Sequence, residues 1–144
     1  MAHKVSFCQL NFVVQDMTAT IDFYHRLGLE FEADPDTFHL AVDLPNGQYL
    51  EFDTADFGPQ WNSGWRGGFG GPAVIGFSVP TREAVDEIYH ALTAAGAKGQ
   101  QPPYDPFWGA RYAIVEDPDG NAIGLMSPID PDRKFWPPQP PPSA

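Results

Sequence analysis

The chain has 144 residues, 42% of them hydrophobic, with 19 acidic against 8 basic side chains and a formal net charge of −11. One globular domain with a real core fits that length and composition. The acidic excess argues against a nucleic-acid surface, which needs clustered Lys and Arg, and leaves solubility or attraction of a cationic ligand as its meaning. Cys8 is the single cysteine, so no internal disulfide can form. No run stays apolar over the roughly 18 residues that a membrane span requires. Met1-Ala2-His3-Lys4 leads straight into a strand-like run without a signal peptide's apolar stretch, so a soluble, cytoplasmic protein is expected.

From Val5 to Val14 the residues alternate: Leu10, Phe12 and Val14 fall on one face, Gln9 and Asn11 on the other. That pattern predicts a strand with one apolar face. Asp16 or Thr18 then caps a helix whose apolar side carries Ile21, Tyr24 and Leu27, and Gly28 stops it. Leu29 to Phe31, Phe38 to Leu44 and Gln48 to Asp53 are expected strands. The last two are joined through Pro45-Asn46-Gly47, a hairpin signal because Asn and Gly both tolerate positive φ.

The order then recurs. Ala73 to Val79 is a predicted strand, Thr81 a predicted N-cap, and Val85, Ile88, Tyr89 and Leu92 a helical stripe ended by Gly96. Ala110 to Glu116 and Asn121 to Met126 are strands around the turn Asp117-Pro118-Asp119-Gly120. A short strand after the second helix is not distinct in the sequence. Between the copies lies 55–72, glycine-rich and carrying Trp61, Trp65 and Phe69. The stretch 131–144 is a proline-rich tail, with Phe135 and Trp136 as anchors to the body.

Two motifs carry a resemblance. Val14-Gln15-Asp16-Met17 leads to Ile21-Asp22-Phe23-Tyr24 and Leu27-Gly28-Leu29, and Glu116-Asp117-Pro118-Asp119-Gly120-Asn121 precedes an apolar strand. From Val5 to Pro128 the chain resembles the vicinal-oxygen-chelate superfamily of glyoxalases, bleomycin-resistance proteins and extradiol dioxygenases. The resemblance implies an α+β fold of two βαβββ modules, 5–54 and 73–127, forming an incomplete barrel-like cleft within a single domain, 1–130.

In the superfamily's metalloenzymes the ligands come from the first and last strands of each module. The matching positions here are Gln9 and Glu51, then Val74 and Gly124. Valine and glycine offer no side-chain ligand, so neither metal nor other cofactor is expected. His39 is the one spare donor on a strand. Gly76 and Ser78 share the face of Val74, and this lining of small groups is expected to make room for a bulky ligand. Cys8 is expected to face the core as a small hydrophobe.

The ligand-binding set expected from these arguments is Gln9, Asn11, Glu51, Trp61, Trp65, Val74, Phe107, Trp108, Tyr112 and Gly124. Tyr104 and Arg111 accompany the aromatic members, whose rings stack on flat ligands. Metal-free relatives that resemble bleomycin-resistance proteins sequester a planar or cationic antibiotic, as homodimers. The resemblance therefore implies a cytoplasmic homodimer that binds a small aromatic or cationic molecule without metal, conferring drug resistance or self-resistance. The alternative is a glyoxalase-like lyase, isomerase or dioxygenase that uses Glu51 as general base, with or without a metal held by Gln9, Glu51 and His39.

Overall fold

The computed structural model describes residues 3–141. The first two residues of the expected leaderless start, and the last three of the proline-rich tail, lie outside the described residues.

The first strand, β1, spans Gln9–Val14. It starts later than Val5 because its parallel partner starts at Tyr49, and Gln9 is the residue opposite. The six residues before it, 3–8, lie outside the ladder. Only Cys8 O, accepting from Tyr49 N at 3.3 Å, and Phe7 O, accepting from Gln48 Nε2, tie them to the sheet. Cys8 is consequently exposed rather than buried in the core.

Asp16 caps helix α1, Met17–Leu27, its carboxylate accepting from Ala19 N at 3.0 Å. The buried stripe is Met17, Thr20, Phe23, Tyr24 and Leu27, one step round from the predicted one, and leaves Ile21 only part-buried. Gly28 ends the helix with φ 118°, where any other residue is strained.

No strand forms at Leu29 to Phe31. The Phe31 carbonyl is taken by His25 Nε2 at 2.8 Å, and the two rings lie 4.3 Å apart. With its carbonyl bound to a helix side chain and Pro35 following, this segment has no ladder to join. The first module is therefore three-stranded: β2 (His39–Asp43) and β3 (Tyr49–Thr54) complete a sheet of order β1-β3-β2. Of the two turn residues only Gly47 takes positive φ, at 81°. Asn46 instead turns its side-chain oxygen back to Gln48 N at 3.1 Å.

The second module holds four strands. They are β4 (Val74–Ser78), β5 (Gly99–Tyr104), β6 (Tyr112–Glu116) and β7 (Ala122–Met126), in the order β4-β7-β6-β5. Between β4 and β5 runs helix α3, Arg82–Ala94, capped by Thr81. The strand that the sequence hides, β5, contains Pro102 and Pro103, is irregular in register and lies at the sheet's outer edge. Proline is tolerated there because no further strand asks for its missing N–H.

The modules meet through their helix-bearing sides, in one core that includes Phe12, Phe52, Val85, Ile123 and Leu125. Tyr24 is the pin. Fully buried, it packs against Phe12, Phe23 and Phe52 and reaches Phe77 of the second module, while its hydroxyl donates to Asp117 Oδ2 at 2.7 Å. Gln15 adds two bonds to Asp119 Oδ1, from its backbone and side-chain nitrogens.

Candidate functional site

With the helices on one side, the opposite, inner faces of the two sheets are left for function. Strand parity fixes what they carry. On the first sheet, register places Asn11 opposite Glu51, and His39 opposite Asp53. These four side chains form a continuous network. Asn11 Nδ2 donates to Glu51 Oε2 at 3.0 Å and to Asp53 Oδ2 at 2.8 Å, and His39 Nδ1 meets Asp53 Oδ1 at 2.5 Å. Asp53 is 1% exposed, so these bonds compensate a carboxylate taken out of water. Asn11 Oδ1 is buried without a partner.

Gln9 stands at the exposed start of β1, opposite Tyr49 and not Glu51. The residue that engages Glu51 is Asn11, one strand repeat further on. Sequence reasoning singled out Glu51 and Asn11 but passed over Asp53. The available signal was the pair of acids two apart in a strand, Glu51 and Asp53, which must share a face.

The inner face of the second sheet is aromatic. Tyr112 packs edge-on against Trp108 at 5.2 Å and against Tyr104 at 6.5 Å, and Phe107 meets Trp108 at 5.3 Å. The space beside Gly124 is not empty. A Cβ built there would stand 2.8 Å from the Tyr112 hydroxyl and 3.2 Å from Val74 Cγ1. Glycine at 124 thus admits the phenol ring, correcting the expectation of a hollow, whereas Gly76 does face open space. Burial, with a lesser effect from Tyr104, raises the Tyr112 pKa, so its hydroxyl stays a hydrogen-bond donor. Trp108 Nε1 is a second donor, buried and without a partner.

Arg111 does not join this wall. It turns to the helix side, where Nε and Nη2 hold both oxygens of Asp86 at 2.9 and 3.2 Å. Asp105 bridges it to Arg82.

The aromatic residues of 55–72 go elsewhere. A short helix, α2 (Gly58–Trp61), lays Gly58 against Val13 on the first sheet's inner face, with Trp65 beside it. Trp65 packs edge-on against Phe69 at 5.9 Å, and Trp61 is 50% exposed. Phe107 also belongs to a groove with Trp136 and Phe135, where the tail docks through Phe135 N to Phe107 O. Between the modules an apolar cavity of about 680 Å³ is lined by Leu10, Leu50, Val74 and Phe77 among others. The ten expected residues therefore fall into a polar patch (Asn11 and Glu51, with Gln9 at its rim), an aromatic wall (Val74, Phe107, Trp108, Tyr112 and Gly124) and a loop pair (Trp61 and Trp65).

Residues 6–125 match the model of the Glyoxalase/Bleomycin resistance protein/Dioxygenase superfamily. The chain belongs to this superfamily. Solved structures with the same vicinal-oxygen-chelate fold include a glyoxalase-related enzyme from Fulvimarina pelagi. It is 19% identical, with a TM-score of 0.75 over 85% of this chain and 88% of that one. A glyoxalase/bleomycin resistance protein/dioxygenase from Nocardioides is 21% identical, with a TM-score of 0.67 over 90% and 87%. A superfamily member from Sphaerobacter thermophilus is 26% identical, with a TM-score of 0.60 over 87% and 98%. No curated protein matches the chain significantly.

Against the superfamily's metal positions the donor set does not fit. Val74 and Gly124 bring no donor atom, and Tyr112 fills the space at Gly124. His39, the spare donor, meets Asp53 through Nδ1, and Gln9, its expected co-ligand, lies opposite Tyr49 and not Glu51. Among the described residues no group of three or more His, Cys, Asp or Glu side chains is disposed to hold a metal ion.

Proposed function

We propose that this chain is a metal-independent small-molecule-binding protein that sequesters an aromatic ligand, as a drug-resistance or self-resistance protein does. The observation that carries the reading is the aromatic wall. Trp108, Tyr112 and Tyr104 form a run of rings on an inner sheet face, over a glycine that leaves room for the central one. Such rings offer large contact area at low entropy cost. Two hydroxyl or indole donors, Tyr112 and Trp108, lie within the wall to orient a ligand's oxygen. The carboxylates of the polar patch and the net charge of −11 favour a neutral or cationic ligand over an anion.

In this reading the protein works in the cytoplasm as a homodimer. β4 is the free edge of its sheet, and Val74 on it is 46% exposed, an apolar surface suited to burial against a second copy.

A titration of tryptophan fluorescence with neutral and cationic polycyclic aromatics tests the proposal. Saturable quenching is expected, equal for chelator-treated and metal-supplemented protein. Tyr112→Ala is expected to weaken binding about tenfold, the loss of one aromatic contact and its buried area. No quenching by any member of the panel, or quenching that depends on added metal, overturns it.

A further inference from the structure

The His39–Asp53 pair, cross-strand partners in the β2–β3 ladder, stands apart from the aromatic wall. Asp53 is a fully buried carboxylate, and a carboxylate can only accept, so His39 Nδ1 is the donor across their 2.5 Å contact. That bond fixes the tautomer. In the neutral ring the proton sits on Nδ1 and the lone pair is left on Nε2. Nε2 has no partner among the described residues, and the side chain is 42% exposed at the sheet's β2 edge. The arrangement holds a hydrogen-bond acceptor in a set direction and leaves it vacant.

The surroundings say what would approach it. The Phe57 ring lies 5.5 Å from the imidazole and 4.9 Å from the Phe38 ring. Phe38 is 59% exposed, so much of its ring stays open beside Phe57. The same two rings line a shallow recess of about 590 Å³ whose rim carries Asp36 and Asp56. A flat apolar body can pack on the open faces of these rings, and the acidic rim repels anions.

We propose that His39, held by Asp53, together with Phe38 and Phe57 forms a second binding site that selects an uncharged aromatic ring bearing a hydroxyl group. The hydroxyl donates to His39 Nε2 and the ring packs on the phenylalanines. No covalent step is involved. This site is distinct from the aromatic wall of Trp108 and Tyr112, so the two readings fail separately.

The test uses the whole chain labelled with ¹⁵N at histidine, and two probes that differ only in the donor, 2-naphthol and 2-methoxynaphthalene. The nitrogen shifts of the neutral His39 ring are expected to report the Nδ1–H tautomer. Titration with 2-naphthol is expected to move the Nε2 resonance saturably. The methyl ether is expected to bind at least tenfold more weakly and to leave Nε2 unmoved. In His39→Phe the two probes are expected to bind equally, whereas Tyr112→Ala is expected to keep the discrimination. An Nε2–H tautomer, a ring protonated on both nitrogens under the titration conditions, equal affinities in the unaltered protein, or 2-naphthol binding that leaves Nε2 unmoved overturns the proposal. The tautomer and the probe comparison need no variant, so a misfolded His39→Phe does not leave the matter open. Loss of fluorescence quenching at the wall, with the 2-naphthol response intact, would count against the sequestration site alone.

Discussion

At residue scale, Gly124 shows how one missing side chain shapes a ligand-binding wall. Its absent Cβ is the room into which Tyr112 leans, 2.8 Å from the hydroxyl. Gly124→Ala must push the ring aside, and the nearest atom is the far end of that side chain, so the fold yields at small cost. A loss of about 1 kcal/mol in urea unfolding is expected. Aromatic-ligand quenching is expected to fall several-fold, because the displaced ring loses its edge-on contact with Trp108. A full-strength ligand response in Gly124→Ala would show that Tyr112 takes no part in binding.

The same scale explains what could be read of the site in advance. Parity alone put Glu51 and Asn11 on one face and Val74 and Gly124 on another. It could not show that Asn11, rather than Gln9, meets Glu51, because that depends on the register of β1 against β3, a non-local pairing. Nor could it show Arg111 turning to Asp86 while its neighbour Tyr112 turns inward, which requires knowing where α3 lies.

At the scale of elements, helix periodicity, caps and turns were legible, as Asp16, Thr81 and Gly120 illustrate. Two short strands were not. Leu29 to Phe31 has strand-like residues, but its carbonyl is spent on His25. β5 carries two prolines and becomes a strand only because β6 is there to pair with. Both outcomes are decided by a partner, which local pattern does not contain.

The docking of α1 onto the second module has a pH signature. Burial first, then the Asp117 carboxylate, raise the Tyr24 pKa far above its ordinary value. Above about pH 10 the unfolded chain releases a phenol proton that the folded chain retains. The unfolded state then binds fewer protons, so stability falls as pH rises through the alkaline range. Tyr24→Phe removes this contribution, and its unfolding free energy is expected to decline less steeply above pH 10. Near neutrality the same variant is expected to lose about 1–2 kcal/mol, since Asp117 gives up one of its donors while buried. Parallel alkaline slopes in the two proteins would place the titrating group elsewhere.

At the scale of the whole molecule, β4 is an outer strand of the second sheet, and its edge has no further strand beside it. Sedimentation velocity is expected to give a particle of twice the 15.9 kDa chain mass, and Val74→Glu to shift it towards the single chain. A dimer indifferent to that substitution would have its interface away from β4. The opposite end of the second sheet is closed to such use. Pro102 and Pro103 sit on its outermost strand without N–H groups to offer. A stray extended peptide arriving at that border would find too few donors to zip onto, so uncontrolled end-to-end stacking of these sheets into fibrils is discouraged from one side. In a cell crowded with newly made copies, that leaves β4 as the border of this sheet at which the chain can recruit its own kind.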